Sequence, residues 1–512
     1  MFGTRRNFIA SGALAAGYFT APRIFADAMP GRLNGLPTVA MIGMGKQGRH
    51  LMNQFLDRKV VVTRVCDCDR VRREDGVARA RKFYADHPDR GVPADACTGE
   101  ADFRKILEDP GVDMVCIATP DHWHAHMVVE AMKHGKDVYC EKPLTYTVDE
   151  ARTIVEVVKR TGRILQVGAM QRSSDEFRAA CEMVRNGIVG DVKYVECQFG
   201  GPSCPRRPYK DFRNFEKEGA PNPDVDWKMW LGPAPDAPYS DQLSPRGVHD
   251  YFPMFWREDD HFGSGMCGDW GAHHLDIAAW GMDKDGTGPV KVVAGNEPRH
   301  WAWDRGYRRQ WGTKLVYADG LVVRHVQGTS WGCVFYGSKG AVCVDRGRFA
   351  LWSGERGWDV DAKLRGALSD GSFDGLTKIA YYNGTQSRRV DGVEKRIDTA
   401  SDEFGKNAGD AVKIAERKLG FKTADFKTKL YESHNQVANF VDCVASRRRA
   451  ISNEDVGPWS SVLCQLMNMS YVHDTGFDWD PAAMAFAGGT GNRDWLSRLE
   501  MRPATGRFET KA

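Results

Sequence analysis

The stretch Val39-Ala40-Met41-Ile42-Gly43-Met44-Gly45-Lys46-Gln47-Gly48 runs from a short apolar segment straight into three spaced glycines. Arg49 to Leu56 follows with helical apolar spacing at Leu51, Met52, Phe55 and Leu56. This is G-x-G-x-x-G in a strand–turn–helix setting. Gly43 permits the tight turn, Gly45 lets backbone approach a pyrophosphate, and Gly48 lets helix and strand pack closely. The N–H groups that open the helix, near Lys46 and Gln47, then face the phosphates.

A second apolar run, Val60 to Val65, leads to Asp67, nineteen residues after Gly48. A carboxylate there can accept both ribose hydroxyls, which favours NAD because a 2′-phosphate would be repelled. Arg64 and Arg70 stand close enough in sequence to keep NADP open. The alternation continues with helical spacing over about 101–108, a buried strand from Val112 to Ala118 and a helix over about 124–134. A short strand from Val138 to Cys140, a helix over 148–161 and a strand from Ile164 to Val167 complete it. Repeated βαβ units predict a parallel, doubly wound sheet whose ligand lies at the carboxyl ends of the strands. Thr119-Pro120-Asp121-His122-Trp123-His124 follows one such strand and Glu141-Lys142-Pro143 the next. Thr119, Pro120, His124, Glu141 and Lys142 are therefore expected at the cofactor, with Lys142 beside the nicotinamide.

The 512 residues predict two domains with extensions. Lys+Arg minus Asp+Glu is 71 − 68 = +3, which gives no electrostatic case for nucleic acid. Past the N-terminus no stretch is long and apolar enough to span a bilayer. The thirteen cysteines contain no CxxC pair, and Cys66, Cys116 and Cys140 fall in or at the ends of strand-like runs, as small core residues do. Cys66 and Cys68 lack further ligands at zinc spacing, so no metal is expected. Thr4-Arg5-Arg6-Asn7-Phe8-Ile9 is a twin-arginine pattern, followed by a weakly hydrophobic stretch to Phe19 and an A-x-A site at Ala26-Asp27-Ala28. Residues 1–28 are read as an export signal, which places the mature protein in the periplasm or otherwise outside the cytoplasm.

Gly265-Met266-Cys267-Gly268-Asp269-Trp270-Gly271-Ala272-His273-His274-Leu275-Asp276 carries further chemistry. Asp269, His273 and Asp276 are spaced i, i+4, i+7, the spacing of one helix face, although Asp269 could equally cap a helix starting there. Oxidising a secondary alcohol requires a hydride acceptor and a base for the hydroxyl proton; histidine suits the base and a lysine the developing alkoxide. His274 points about 100° away from His273 and is read as packing or as supporting the site from behind its lining residues.

The set IGMGKQG, ATPDHWHA, CEKPL and VGAMQR, with the GMCGDWGAHHLD segment and Phe477-Asp478-Trp479-Asp480-Pro481, resembles the Gfo/Idh/MocA oxidoreductases. The resemblance implies that Lys142 hydrogen-bonds the reacting hydroxyl and contacts cofactor, and that His273 is the acid/base with Asp269 as its upstream partner. It also implies that Gln171 touches cofactor and Arg172 substrate.

From about 169 the pattern changes: a helix over 175–186, a strand from Val192 to Phe199, then an insertion to about 262. The insertion holds Pro205-Arg206-Arg207-Pro208-Tyr209, Trp227 and Trp230-Leu231-Gly232-Pro233, aromatic and arginine residues of the kind that pave sugar sites, with Trp230 the strongest candidate. Runs near 290–296, 313–318, 321–326, 331–336 and 341–345 predict an open, mostly antiparallel sheet. Residues 355–425 are polar and poorly periodic and yield no element. Helices are expected near 431–447 and 457–472. The division is then 1–28 signal, 29–168 Rossmann domain, 169–491 substrate-binding and oligomerisation α/β domain, and 492–512 a tail wrapping a neighbour or the Rossmann domain.

The function expected is an NAD(P)-dependent oxidoreductase acting on a secondary hydroxyl of a sugar or cyclitol, in a homo-oligomer. A redox-neutral, NAD-dependent glycosidase uses the same lysine–histidine region and is the alternative. A non-catalytic sugar-binding protein would lack Lys142 or His273.

Overall fold

The computed structural model describes residues 35–201, 221–250, 255–298, 310–326, 331–354, 376–383, 387–390, 393–396 and 405–497. The twin-arginine segment, the Pro205–Tyr209 run and residues 498–512 of the tail lie outside these.

The first half alternates strictly: β1 (Thr38–Ile42), α1 (Lys46–Leu56), β2 (Val61–Cys66), α2 (Arg70–Asp86), β3 (Thr98–Glu100), α3 (Phe103–Glu108), β4 (Met114–Ile117), α4 (Asp121–Lys133), β5 (Asp137–Cys140), α5 (Val148–Thr161) and β6 (Leu165–Val167). The strands form one six-stranded sheet in the order β3-β2-β1-β4-β5-β6, every pair parallel. That is the Rossmann order, with its topological switch between β1 and β4. Strands buried on both faces read as continuous apolar runs, which made β1, β2 and β4 visible in the sequence. α5 was equally legible: Thr147 and Glu150 form a capping box, Gly162 ends the helix at φ 63°, and Val148, Ala151, Ile154, Val157 and Val158 bury one face.

α2, seventeen residues long, was not legible. Its buried positions are Gly76, Ala80 and Tyr84, so the i, i+4, i+8 face carries little apolar bulk to mark a period. A Cβ at Gly76 would lie 2.8 Å from the Val65 side chain, so close packing on β2 demands the small residue. Asp69 caps the helix, accepting from the N–H groups of Val71 and Arg72.

The second half holds α6 (Asp175–Arg185), β7 (Val192–Gln198), α7 (Trp227–Leu231), α8 (Phe255–Glu258), α9 (Gly265–Asp269), α10 (Gly271–Gly281) and β8 (Lys291–Val293). Then come β9 (Lys314–Val316), β10 (Val322–Val326), β11 (Cys333–Gly337), β12 (Gly340–Asp345), β13 (Arg348–Ser353), β14 (Thr377–Asn383), α11 (Ala408–Leu419), α12 (Gln436–Ser446), α13 (Gly457–His473), β15 (Phe477–Asp480) and β16 (Ala485–Ala487). A ten-stranded sheet runs β14-β13-β12-β11-β7-β10-β9-β8-β15-β16. The β7–β10 pair is parallel and its other pairs are antiparallel. β14 and α11 fall in the stretch that yielded no element from sequence; Asn407 caps α11 and Ala408, Ala411, Ile414 and Ala415 form its buried face.

One core joins α6, α10 and α13 to the sheet through Phe177, Leu275, Leu466, Val195, Phe335 and Val342. α13 is buried from Gly457 to Tyr471 and contacts both α5 and α10, so it is enclosed on every side and ties the two halves together. α12 returns to the first half: Val437, Phe440, Cys443 and Val444 lie in the same core as Val39, Phe55 and Tyr139. The described cysteines are all free, and all are buried except the half-buried Cys68. Among the described residues no helix is long and apolar enough to cross a membrane.

Candidate active site

A cavity of about 360 Å³ opens at the carboxyl ends of β1, β2, β4 and β5 and extends to α9, α10 and the β12–β13 turn. Gly43, Gly45, Lys46, Gln47, Asp67, Thr119, Pro120, Glu141, Lys142, Trp230, Asp269 and His273, all expected at the site, line it. Gly43 has φ 91°, and a Cβ there would lie 2.7 Å from the Ala118 carbonyl oxygen; a Cβ on Gly48 would lie 1.9 Å from that of Gly43. Gly48 thus seats α1 against the loop and stands behind the cavity wall.

The dinucleotide end passes a direct physical test. α1 has no side-chain cap and no acid in its first turn, so its leading N–H groups face the cavity uncompensated. A Cβ at Gly45 would meet nothing within 4 Å, which leaves room for a phosphate against the backbone. The Thr119 hydroxyl is buried at the same wall without a partner among the described residues. Asp67 is fixed by its own turn, accepting from Met44 N–H at 2.7 Å and Asp69 N–H at 2.8 Å, with lone pairs to spare for hydroxyls. Glu141 accepts from the Gln47 amide at 2.9 Å, and burial raises its carboxyl while Lys142 opposes the rise.

At the other end Lys142 donates to Asp269 Oδ1, and Arg257 Nε reaches the same oxygen at 3.4 Å. Burial pushes the Asp269 carboxyl up, but the charges and hydrogen bonds of Lys142 and Arg257 outweigh it and hold Asp269 below the usual carboxylate range. His273 is driven well below its ordinary value, first by burial and then by the positive charges of Lys142 and Arg346. It is a neutral imidazole at pH 7. Its Nδ1 is buried without a partner among the described residues. Asp121, at the start of α4, accepts from Ser264 N–H at 3.3 Å; burial pushes it up to about 7 against the pull of Lys142, with Asp269 adding to the rise.

Several expectations are corrected. Asp269 ends α9 instead of capping α10, whose N-cap Trp270 makes no side-chain cap bond. Trp270, between the two helices, keeps αR backbone angles; Asp269 and His273 line the cavity, whereas Asp276 is taken by Arg172. Arg172, expected at substrate, is fully buried away from the cavity. Its guanidinium spends its donors on Asp276, at 2.8 Å twice, and on Asp285, at 2.9 and 2.6 Å. His124, expected at the cofactor, is buried between loops, with Nδ1 2.7 Å from the Pro143 carbonyl and Nε2 2.9 Å from that of Thr119. It holds the two strand-end loops together and does not line the cavity. Gln171 is buried, lies off the cavity wall, and leaves its amide without a partner among the described residues.

Trp230 stacks on Trp227 with centroids 4.6 Å apart and meets Phe262 edge-on, so its ring is fixed where it meets the cavity. Residues 221–250 run over the cofactor end as a strap. Asp226 N–H reaches the Cys68 carbonyl at 3.0 Å, Arg70 pairs with Asp224 at 2.7 Å, and Arg72 donates to the carbonyls of Pro245 and Gly247. The buried Arg49 of α1 donates to the His249 carbonyl at 2.7 Å and to Asp250 at 2.5 Å. Leu243, Pro245 and His249 of this strap complete the cavity wall. Sequence reasoning missed Asp121, Arg257 and Arg346. Asp121 sat inside the TPDHWHA motif, whereas Arg257 and Arg346 follow an irregular insertion and a hairpin turn that carry no local signal.

A family model described as the NAD-binding Rossmann fold of an oxidoreductase family, Gfo/Idh/MocA, matches residues 38–169, and its C-terminal α/β domain matches 208–339. The chain belongs to the Gfo/Idh/MocA oxidoreductases. Its Rossmann half is the family's NAD-binding domain. A glycosyl hydrolase family 109 protein of Saccharopolyspora erythraea is 36% identical over 160 residues, 30% of this chain and 33% of that protein. The scyllo-inositol 2-dehydrogenase (NAD(+)) of Bacillus subtilis is 40% identical over 92 residues, 18% of this chain and 27% of that enzyme. This Gfo/Idh/MocA chain therefore aligns with about a third of these relatives' lengths. A levoglucosan dehydrogenase solved with NADH and levoglucosan superposes with a TM-score of 0.49 at 17% identity, over 86% of this chain and 99% of that one.

Proposed function

We propose that this protein is an NAD-dependent oxidoreductase that removes hydride from a secondary hydroxyl of a sugar, sugar derivative or cyclitol. The observation that carries the reading is the convergence of Lys142, Asp269 and neutral His273 on the cavity that begins at the glycine turn. Bound NAD supplies the hydride-accepting carbon. The protein's own groups handle the proton and the charge. His273, uncharged at neutral pH, accepts the hydroxyl proton, and the Lys142 ammonium donates to the oxygen as negative charge develops on it. Asp269 holds the ammonium in place, and Arg257 keeps Asp269 ionised. Trp230 offers a flat ring to the C–H face of a sugar.

The strap over the cofactor end favours a second reading of the same site, in which a retained dinucleotide is recycled and a glycoside is cleaved without net reduction. The similarity to a glycosyl hydrolase family 109 protein points the same way. The two are separated by incubating the purified, NAD-loaded protein with sugars, cyclitols and aryl glycosides while following absorbance at the reduced-nicotinamide band. Reduction by a free sugar supports the oxidoreductase. Aglycone release with the dinucleotide still oxidised supports the glycosidase, and neither change in any panel member refutes both. We further propose export through the twin-arginine signal at residues 1–28 and assembly as a homo-oligomer; fractionation of Arg5→Lys/Arg6→Lys cells and light scattering test these.

A further inference from the structure

Around the proposed reaction centre one cation, Arg346, has no ion-pair partner among the described residues. Lys142 and Arg257 both turn to Asp269, and each nearby acid is already engaged. Glu141 takes the Gln47 amide and Asp121 the Ser264 N–H. Asp345, next in sequence to Arg346, takes Arg348 at 2.8 Å and the Arg346 backbone N–H at 2.8 Å. The guanidinium of Arg346 is left with no carboxylate or carbonyl acceptor among the described residues. It lies over the Trp270 ring, 4.6 Å from the centroid, and both residues line the cavity that holds Lys142 and His273. Stacking on an aromatic face orients a guanidinium edge without using its N–H donors. The guanidinium thus keeps its N–H donors unspent at the His273 end of the cavity, away from the glycine turn.

We propose that Arg346 is a specificity residue that receives an anionic group of the substrate, so that the sugar or cyclitol oxidised here carries a carboxylate or a phosphate. This rests on the oxidoreductase reading for the reaction but not for the binding. A planar fork matches the two oxygens of either group. The probes are matched sets: hexoses, the corresponding hexuronates and aldonates, and the hexose 6-phosphates, each titrated calorimetrically into NAD-loaded protein, with nicotinamide reduction followed separately. At least one acidic sugar is expected to bind about 10- to 100-fold tighter than its neutral counterpart, the range of a charge-assisted hydrogen-bond pair. Arg346→Gln is expected to collapse that ratio towards one, and Arg346→Lys to restore part of it. Tighter uronates or aldonates assign a carboxylate; tighter 6-phosphates assign a phosphate.

Neutral sugars that bind as well as all their acidic partners overturn the proposal, as does an acid preference that survives Arg346→Gln. So does the absence of binding by every acidic probe. Binding with the expected preference but no reduction of NAD by any probe leaves the anion site standing and removes the oxidoreductase reading, so the two fail separately. Arg346 sits in an exposed turn, and an unchanged melting temperature of the variant shows that a lost preference is local.

Discussion

Arg49→Ala tests whether residues 221–250 hold the cofactor in place. Arg49 sits on α1 and does not line the cavity, so its loss removes no direct contact with a dinucleotide. Its guanidinium is buried and donates to the His249 carbonyl at 2.7 Å. A hydrogen bond from a charged donor contributes about 1.5–3 kcal/mol. The partner Asp250 is largely solvent-exposed, so that ion pair adds under about 1 kcal/mol. About 2 kcal/mol of strap closure is therefore at stake. If the closed strap is required for tight binding, the apparent Kd for NAD rises by at most about 30-fold, since 1.4 kcal/mol is tenfold. Arg70 and Arg72 still anchor the strap, which sets the lower expectation at about 3-fold. The assay is calorimetric titration of NAD into apo protein, with stopped-flow fluorescence to separate the rates. The change should fall in the off-rate, because a loosened cover speeds escape more than it slows entry. A Kd within twofold of the parent, with an unchanged apo melting temperature, refutes the strap argument. A fall in apo melting temperature is read against Arg49→Lys, which keeps the charge at the same carbonyl.

Lys142→Met is expected to lower turnover by at least about a thousandfold while NAD binding changes little, measured by steady-state rates and titration; unchanged turnover removes Lys142 from the reaction. Asp67→Ala should weaken NAD far more than NADP, and equal effects on both Kd values would reject its ribose role. Asp121→Asn keeps an acceptor for Ser264 N–H but removes a carboxyl raised to about 7. A raised carboxyl favours the folded state below its unfolded value near 4, and that advantage is lost as pH climbs towards 7. The variant should therefore melt a few degrees above the parent at pH 8, about 1–2 kcal/mol, with the gain gone by pH 4. A constant difference at both pH values would show that the Asp121 carboxyl is not held up in the fold.

The cofactor end was legible because its chemistry is local. G-x-G-x-x-G, the strand before it and the acid after the next strand all lie within thirty residues, and strands enclosed on both faces advertise themselves as unbroken apolar runs. The EKP lysine and the GAHHLD histidine were legible through the family pattern they carry. What the sequence did not reveal was how far-apart residues share their partners. Arg172 looked available until Asp276 and Asp285 were seen to take its donors. His124 looked like a cofactor contact until both ring nitrogens were found on loop carbonyls. α2 hid because glycine and alanine can make a buried face without making a hydrophobic one.

Composition, motif order and the switch from βαβ repeats to short strands determined the fold class, the cofactor and the lysine and histidine that line the cavity. Only the tertiary structure decided that Asp269 is spent on Lys142 and Arg257, that residues 221–250 cover the glycine-turn end of the cavity, and that Arg346 has no ion-pair partner among the described residues. The physical reason is that a side chain's charge and hydrogen-bonding capacity count only after its partners are assigned. Those of Lys142 and Arg172 come from segments more than a hundred residues away, brought together by a core that no local pattern encodes.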